Sequence, residues 1–199
     1  MTVGGDDVRA ALRSASGLFA RVPDDAVPVP ALEADSGRVV AHVAECLVWY
    51  AQDLVAGPFA TQAFEFARRP GADWQELRRQ LAAAGEVLAR VVDGASPADR
   101  GAHSWGQADA AGFAAMGCAE LLLHAGDVDD ALGGTGWAPP AAVVAEVRDR
   151  LFPWAPTDAD PWAALRWATG RGELPGRDRV TTWRWHGAPL DEWDGVQPR

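Results

Sequence analysis

Apolar residues recur every three or four positions over several long stretches of the chain, the spacing of helices with one buried face. The first stretch follows Asp6 and Asp7, which read as caps, and carries Val8, Leu12 and Phe19 to about residue 21. Pro23, Pro28 and Pro30 then break the chain into an extended connection. Ser36 reads as the N-cap of a second helix over 37–56, with Val39, Val43, Cys46, Val48, Trp49 and Leu54 on a broad apolar surface ended by Gly57-Pro58. Residues 59–66 show helical and strand features equally, with a short helix as one reading, and Arg68-Arg69-Pro70-Gly71 is a turn. Asp73 caps a third helix over 74–92, where Leu77, Leu81 and Leu88 form one stripe and Glu76, Arg78, Arg79, Glu86 and Arg90 a solvated face.

Residues 94–107 read as loop. A fourth long helix over 110–132 follows, stopped by Gly133-Gly134 and Gly136. Gly112 and Gly117 inside it cost about 1 kcal/mol each relative to Ala, which points to close helix packing or room for a ligand. Pro139-Pro140 opens a fifth helix to about residue 151, and Asp160 caps a short one at Pro161 that holds Trp162, Leu165 and Trp167. Residues 180–185 alternate, with Trp183 and Trp185 on one side and Thr182 and Arg184 on the other, which predicts a short strand. The pattern is mainly all-α: a four-helix bundle over 1–137 and a small C-terminal α+β extension over 138–199, helices plus a short strand packed on the bundle.

Composition narrows the function. The 199 residues carry a net charge of −10, which argues against nucleic acid as a partner. All 18 basic residues are Arg, so Schiff-base chemistry and the phosphate-loop lysine are excluded. No run of about 18 apolar residues free of charge suggests a membrane helix, and the first residues lack a signal-peptide pattern. Two Cys do not make a disulfide framework, so a reducing cytoplasm is the expected location. No nucleophile-elbow pattern supports acyl transfer. Gly133-Gly134-Thr135-Gly136 follows a helix rather than a strand, which argues against dinucleotide binding.

There are four His in the chain. Glu120 and His124 are four apart on the fourth helix, so both point the same way, one turn apart. Leu121, Leu122 and Leu123 around them aim the pair at the bundle interior, where polar groups need partners. His42 lies in the apolar second helix. Bundle metal sites are built from inward side chains on facing helices, so His42, Glu120 and His124 are candidate ligands. Two imidazoles and a carboxylate suit Zn²⁺ best, with Ni²⁺ or Fe²⁺ also compatible, and leave positions open for water or substrate. The alternative is a pair of core histidines hydrogen-bonded to backbone or to a carboxylate such as Glu45. Cys46, four residues after His42, is a soft donor or a small hydrophobe, and Cys118 faces elsewhere. Asp127 either orients His124 or shares solvent with Asp129 and Asp130. His103, in a polar loop, reads as exposed, while His186 follows the strand, from where it can close over the site.

Three pieces together resemble the DinB-like superfamily, in its branch of mycothiol-dependent maleylpyruvate isomerase-like proteins. They are Val39-Val40-Ala41-His42-Val43-Ala44, Glu120-Leu121-Leu122-Leu123-His124-Ala125-Gly126-Asp127, and the tail from Pro161-Trp162 through Ala168-Thr169-Gly170-Arg171 to Trp183-Arg184-Trp185-His186-Gly187. The resemblance implies a DinB-like bundle with a divalent metal on His42, Glu120 and His124. It also implies a small-molecule thiol, mycothiol, as cosubstrate with an electrophilic substrate, in a thiol S-transferase or isomerase; a monomer or homodimer is expected. In the isomerase a C-terminal arginine supports the substrate carboxylate, and Arg166, Arg171 and Arg184 are the candidates here. Unlike the family, the chain has no tryptophan in the entry Glu33-Ala34-Asp35-Ser36-Gly37, and its C-terminal part is short. The rival reading is a non-catalytic bundle with a degenerate metal site that binds a small molecule or partner through the tryptophan-rich C-terminal part. Equally, those tryptophans can cover the end of the core.

Overall fold

A computed structural model describes residues 2–59, 61 and 63–197. Four long helices dominate: α1 (Gly5–Phe19), α2 (Ser36–Ala56), α3 (Trp74–Gly94) and α4 (Ala110–Ala131). α1 and α2 each pack on both α3 and α4, so the corners of the bundle run α1, α3, α2, α4. α5 (Ala141–Leu151) lies against α4 and α1, and α6 (Pro161–Ala168) against α5. The fold is therefore mostly α-helical, with two small antiparallel β-hairpins as its only sheet among the described residues.

The caps fix where each helix begins. α1 starts after Gly4, not after Asp6 or Asp7; the Asp7 carboxylate reaches back to accept the Gly4 N–H at 2.9 Å. Asp35 rather than Ser36 caps α2, accepting the Arg38 N–H at 2.7 Å. The Ser36 hydroxyl instead donates to the Asp24 carbonyl at 2.9 Å and pins the proline-rich connection. That connection holds a two-residue ribbon, β1 (Pro28–Val29) with β2 (Ala34–Asp35), closed by a 3₁₀ turn. Asp73 caps α3 in a reciprocal box with Glu76. Asp109 caps α4 through the Gly112 N–H, and Asp160 caps α6 through the Ala163 N–H.

Three further expectations are corrected. Residues 94–107 are not all loop, because β3 (Arg100–His103) and β4 (Gly106–Asp109) pair as a hairpin. Neither strand is rich in β-branched or aromatic residues, so the hairpin forms by docking: a Cβ on Gly101 would stand 2.5 Å from the Asp53 carbonyl, and the Ala102 N–H donates to the Gly57 carbonyl. Residues 180–185 form no strand and have no ladder partner among the described residues, so the C-terminal extension is helices and irregular chain rather than α+β. Their alternation comes from Trp183 and Trp185 turning inward onto Trp105 and Phe152. In 59–66 the described residues form no helix; positions 60 and 62 lie outside the described residues.

α4 is the central element. From 111 to 129 every residue except Glu120 is buried. At Gly117 a side chain would run into Leu88 of α3, and at Gly112 into the carbonyl of Gly187, so both glycines serve close packing. α2 is long and apolar enough to cross a membrane by length and composition, and its buried residues, among them Val43, Leu47 and Leu54, belong to the core that it shares with α3 and α4, while Val55 is exposed.

Candidate metal centre

The bundle interior brings His42 from α2 against Glu120 and His124 from α4. One donor atom from each lies within 4.8 Å of the other two. Glu120 Oε2 stands 3.2 Å from His124 Nε2 and 3.8 Å from His42 Nε2. The imidazoles meet nearly edge to face, their centroids 5.2 Å apart and planes at 87°. Ligands around a tetrahedral Zn²⁺ stand roughly 3.3 Å apart. The Glu120–His124 pair already has that spacing, and the His42 pair is slightly wider. Two nitrogens and an oxygen are the donor set of an open-sided divalent-metal site. Side-chain exposure sets the open side: Glu120 and His124 are 12% and 11% exposed, while His42 is 39% exposed.

Outer partners hold the ligands. His124 Nδ1 lies 3.1 Å from Asp127 Oδ2, so Asp127 faces inward and does not share solvent with Asp130. The Arg171 guanidinium donates to both Asp127 oxygens at 3.1 and 3.2 Å. On the other side the buried Tyr50 hydroxyl donates to Glu120 Oε1 at 3.0 Å. Glu45, the rival carboxylate for His42, is engaged with Arg38 at 3.1 Å. Cys46 Sγ rests 3.7 Å from His42 Nε2.

These contacts set the protonation states. Burial opposes charge on His124, but hydrogen bonds to Asp127 and Glu120 outweigh it and raise the pKa to about 9. Burial works to raise the Glu120 and Asp127 carboxyls; His124, with His42 and Tyr50 for Glu120 and Arg171 for Asp127, holds both below the usual carboxylate range. Burial lowers His42, with Glu120 opposing it, so that imidazole is neutral near pH 7. Burial and the Glu120 charge push the Cys46 thiol up, which keeps it protonated.

The remaining candidates are engaged elsewhere or exposed, and only Arg171 reaches the ligands, one carboxylate removed from His124. Arg166 pairs with Asp130 at 2.6 Å, Arg171 is spent on Asp127, and Arg184 is exposed. His186 lies 3.0 Å from the Pro189 carbonyl through Nε2. Two residues went unnoticed or undervalued in the sequence. Tyr50 looks like one more apolar helix position, two turns after His42. His103 is not a loop residue in water; its ring stands 5.9 Å from Tyr50 and 5.6 Å from Trp185. No local spacing announces either, since both reach the site through tertiary contacts.

Searches of protein-family models, curated proteins and solved structures find no match to this chain. What fold and site define is a mainly helical protein with a largely buried His/Glu/His cluster suited to a divalent metal.

Proposed function

We propose that this is a divalent-metal protein that uses His42, Glu120 and His124 as ligands, with Zn²⁺ the best match to the donor set. The observation that carries it is the convergence of three donor atoms from two helices within 4.8 Å, with the second nitrogen of His124 engaged by a carboxylate. A ligating histidine donates its other N–H to such a group, which fixes the tautomer. His124 would therefore present Nε2 to an ion while Nδ1–H stays on Asp127. Tyr50 holds one Glu120 oxygen, while the other faces both imidazoles, where an ion would take the place of the His124 Nε2 proton.

We further propose, on the motif order and the helical bundle, a DinB-like enzyme of the thiol-dependent branch, an S-transferase or isomerase acting with mycothiol on an electrophile in the cytoplasm. A bound divalent cation there would hold the thiol as thiolate and lower its pKa. The partly exposed His42 marks the side from which thiol and electrophile enter. Asp127 and Arg171 keep the His124 ring from turning.

Metal analysis of untagged protein tests this, beside His42→Ala and His124→Ala. The expected result is about one divalent ion per chain in the wild type and none in either variant. Full stoichiometry in His124→Ala would sink the ligand assignment.

A second reading has its own support. His124 already has a carboxylate at each nitrogen, so the cluster can stand as a self-satisfied polar core of a non-catalytic binder. In that case Zn²⁺, Ni²⁺ and Fe²⁺ leave the melting temperature unchanged. A true site at 100 times Kd gains about 2.7 kcal/mol.

A further inference from the structure

The two oxygens of Glu120 have separate tasks. Oε2 faces both imidazoles, 3.2 Å from His124 Nε2 and 3.8 Å from His42 Nε2. Oε1 accepts the Tyr50 hydroxyl at 3.0 Å. Tyr50 sits on α2 two turns after His42, whereas Glu120 sits on α4. The bond therefore crosses between the two helices that carry the donors.

Tyr50 has little freedom to leave. It is 5% exposed, and its ring stands 6.0 Å from that of Phe113 on α4 and 5.9 Å from that of His103 on the β3–β4 hairpin. The phenol has a single O–H to give, and Oε1 takes it. A carboxylate acceptor makes this a stronger bond than one between neutral groups. Inside the bundle, a hydroxyl that let go of Oε1 would need another acceptor.

The number of oxygens that a carboxylate gives to an ion sets the coordination number. One oxygen and two imidazoles are three protein donors, the open form of a tetrahedral site. Both oxygens would make four protein donors, and an added water or substrate would carry the shell toward the six that Mn²⁺ takes.

We propose that Tyr50 is a positioning residue that confines Glu120 to one coordinating oxygen and so holds the site to four ligands, three from the protein and one from outside. The inference rests on the metal reading above and adds to it what decides between ions. Zn²⁺ and its spectroscopic stand-in Co²⁺ accept four ligands, while Mn²⁺ is disfavoured. A single outside position also means that a thiol would enter by displacing water, not by joining it.

Cobalt, zinc and manganese uptake by the full chain after chelation tests this, in the wild type and in the Tyr50→Phe and Phe113→Leu variants. Tyr50→Phe removes the hydroxyl and keeps the ring. Phe113→Leu disturbs the same packing and keeps the hydroxyl. The wild type with Co²⁺ should show the intense visible absorption of a four-coordinate ion. Tyr50→Phe should still bind Co²⁺, with that absorption several-fold weaker as the shell expands. Its preference for Zn²⁺ over Mn²⁺, read by competition, should fall about tenfold. Phe113→Leu should match the wild type in both. An unchanged spectrum and preference in Tyr50→Phe, loss of its Co²⁺ uptake, equal changes in the two variants, or a weak six-coordinate spectrum in the wild type would each overturn this role of Tyr50 and leave the metal site standing. Absence of Co²⁺ and Zn²⁺ uptake by the wild type would remove the metal site and the inference with it.

Discussion

Each ring nitrogen of His124 faces a carboxylate, and the metal-free imidazole therefore keeps both protons at neutral pH, with a pKa of about 9. A metal must displace the Nε2 proton. Affinity should then rise with pH and level off near about pH 9, with roughly one proton released per ion at pH 7. Titration calorimetry in buffers of different ionisation heat measures that proton. Stability of the metal-free protein runs the other way. Because the folded pKa is raised, the stabilisation from His124 is complete below about pH 6.5 and is lost as pH rises through about 9. The melting temperature of stripped protein should fall across that window, and a His124→Phe variant should lack the fall. Asp127→Asn keeps the shape but gives up the charge that orients the ring. It should weaken metal binding about 10- to 100-fold without changing stoichiometry at saturation.

Among the elements, α4 carries the most consequence, since nearly all its faces are covered. Gly112 sits in its first turn, where the Gly187 carbonyl of the C-terminal segment lies directly over it. Backbone cannot step aside as a leucine end can, so Gly112→Ala should destabilise by about 1–3 kcal/mol despite the better helix propensity of Ala. Urea unfolding reads the loss, and a shift in tryptophan emission reads the displaced segment. Helices such as α3 were legible in the sequence because Leu77, Leu81 and Leu88 repeat at helical spacing behind Asp73. His42, Glu120 and His124 were legible because polar residues inside apolar helical runs stand out. The β3–β4 hairpin was not, because Gly101 and Ala102 carry no strand signal and pair only once docked on α2. The opposite error arose at 180–185, where alternation recorded which tryptophans face the core, not a ladder. Tyr50 and His103 became visible only when the hairpin came to rest beside α2.

At the scale of the whole molecule one apolar core runs from Val3 to Trp185, through the four long helices and on into the C-terminal extension. Arg150 ties the two parts, donating to the carbonyls of His186 and Gly187 at 3.2 and 2.9 Å and pairing with Asp109 at the start of α4. The chain should therefore unfold in a single cooperative step. Helical circular dichroism reports mainly the bundle, while seven of the 10 tryptophans follow residue 136, so their fluorescence reports the extension. Coincident midpoints are expected, and separated ones would mean two folding units. His42 stands on one helix and its two companions on another, contributed by distant parts of the chain. An ion held by all three would thus act as a removable rivet through the bundle. While it is seated, α2 cannot swing away from α4, and the exchange of α2 amide hydrogens would keep time with the departure of the ion.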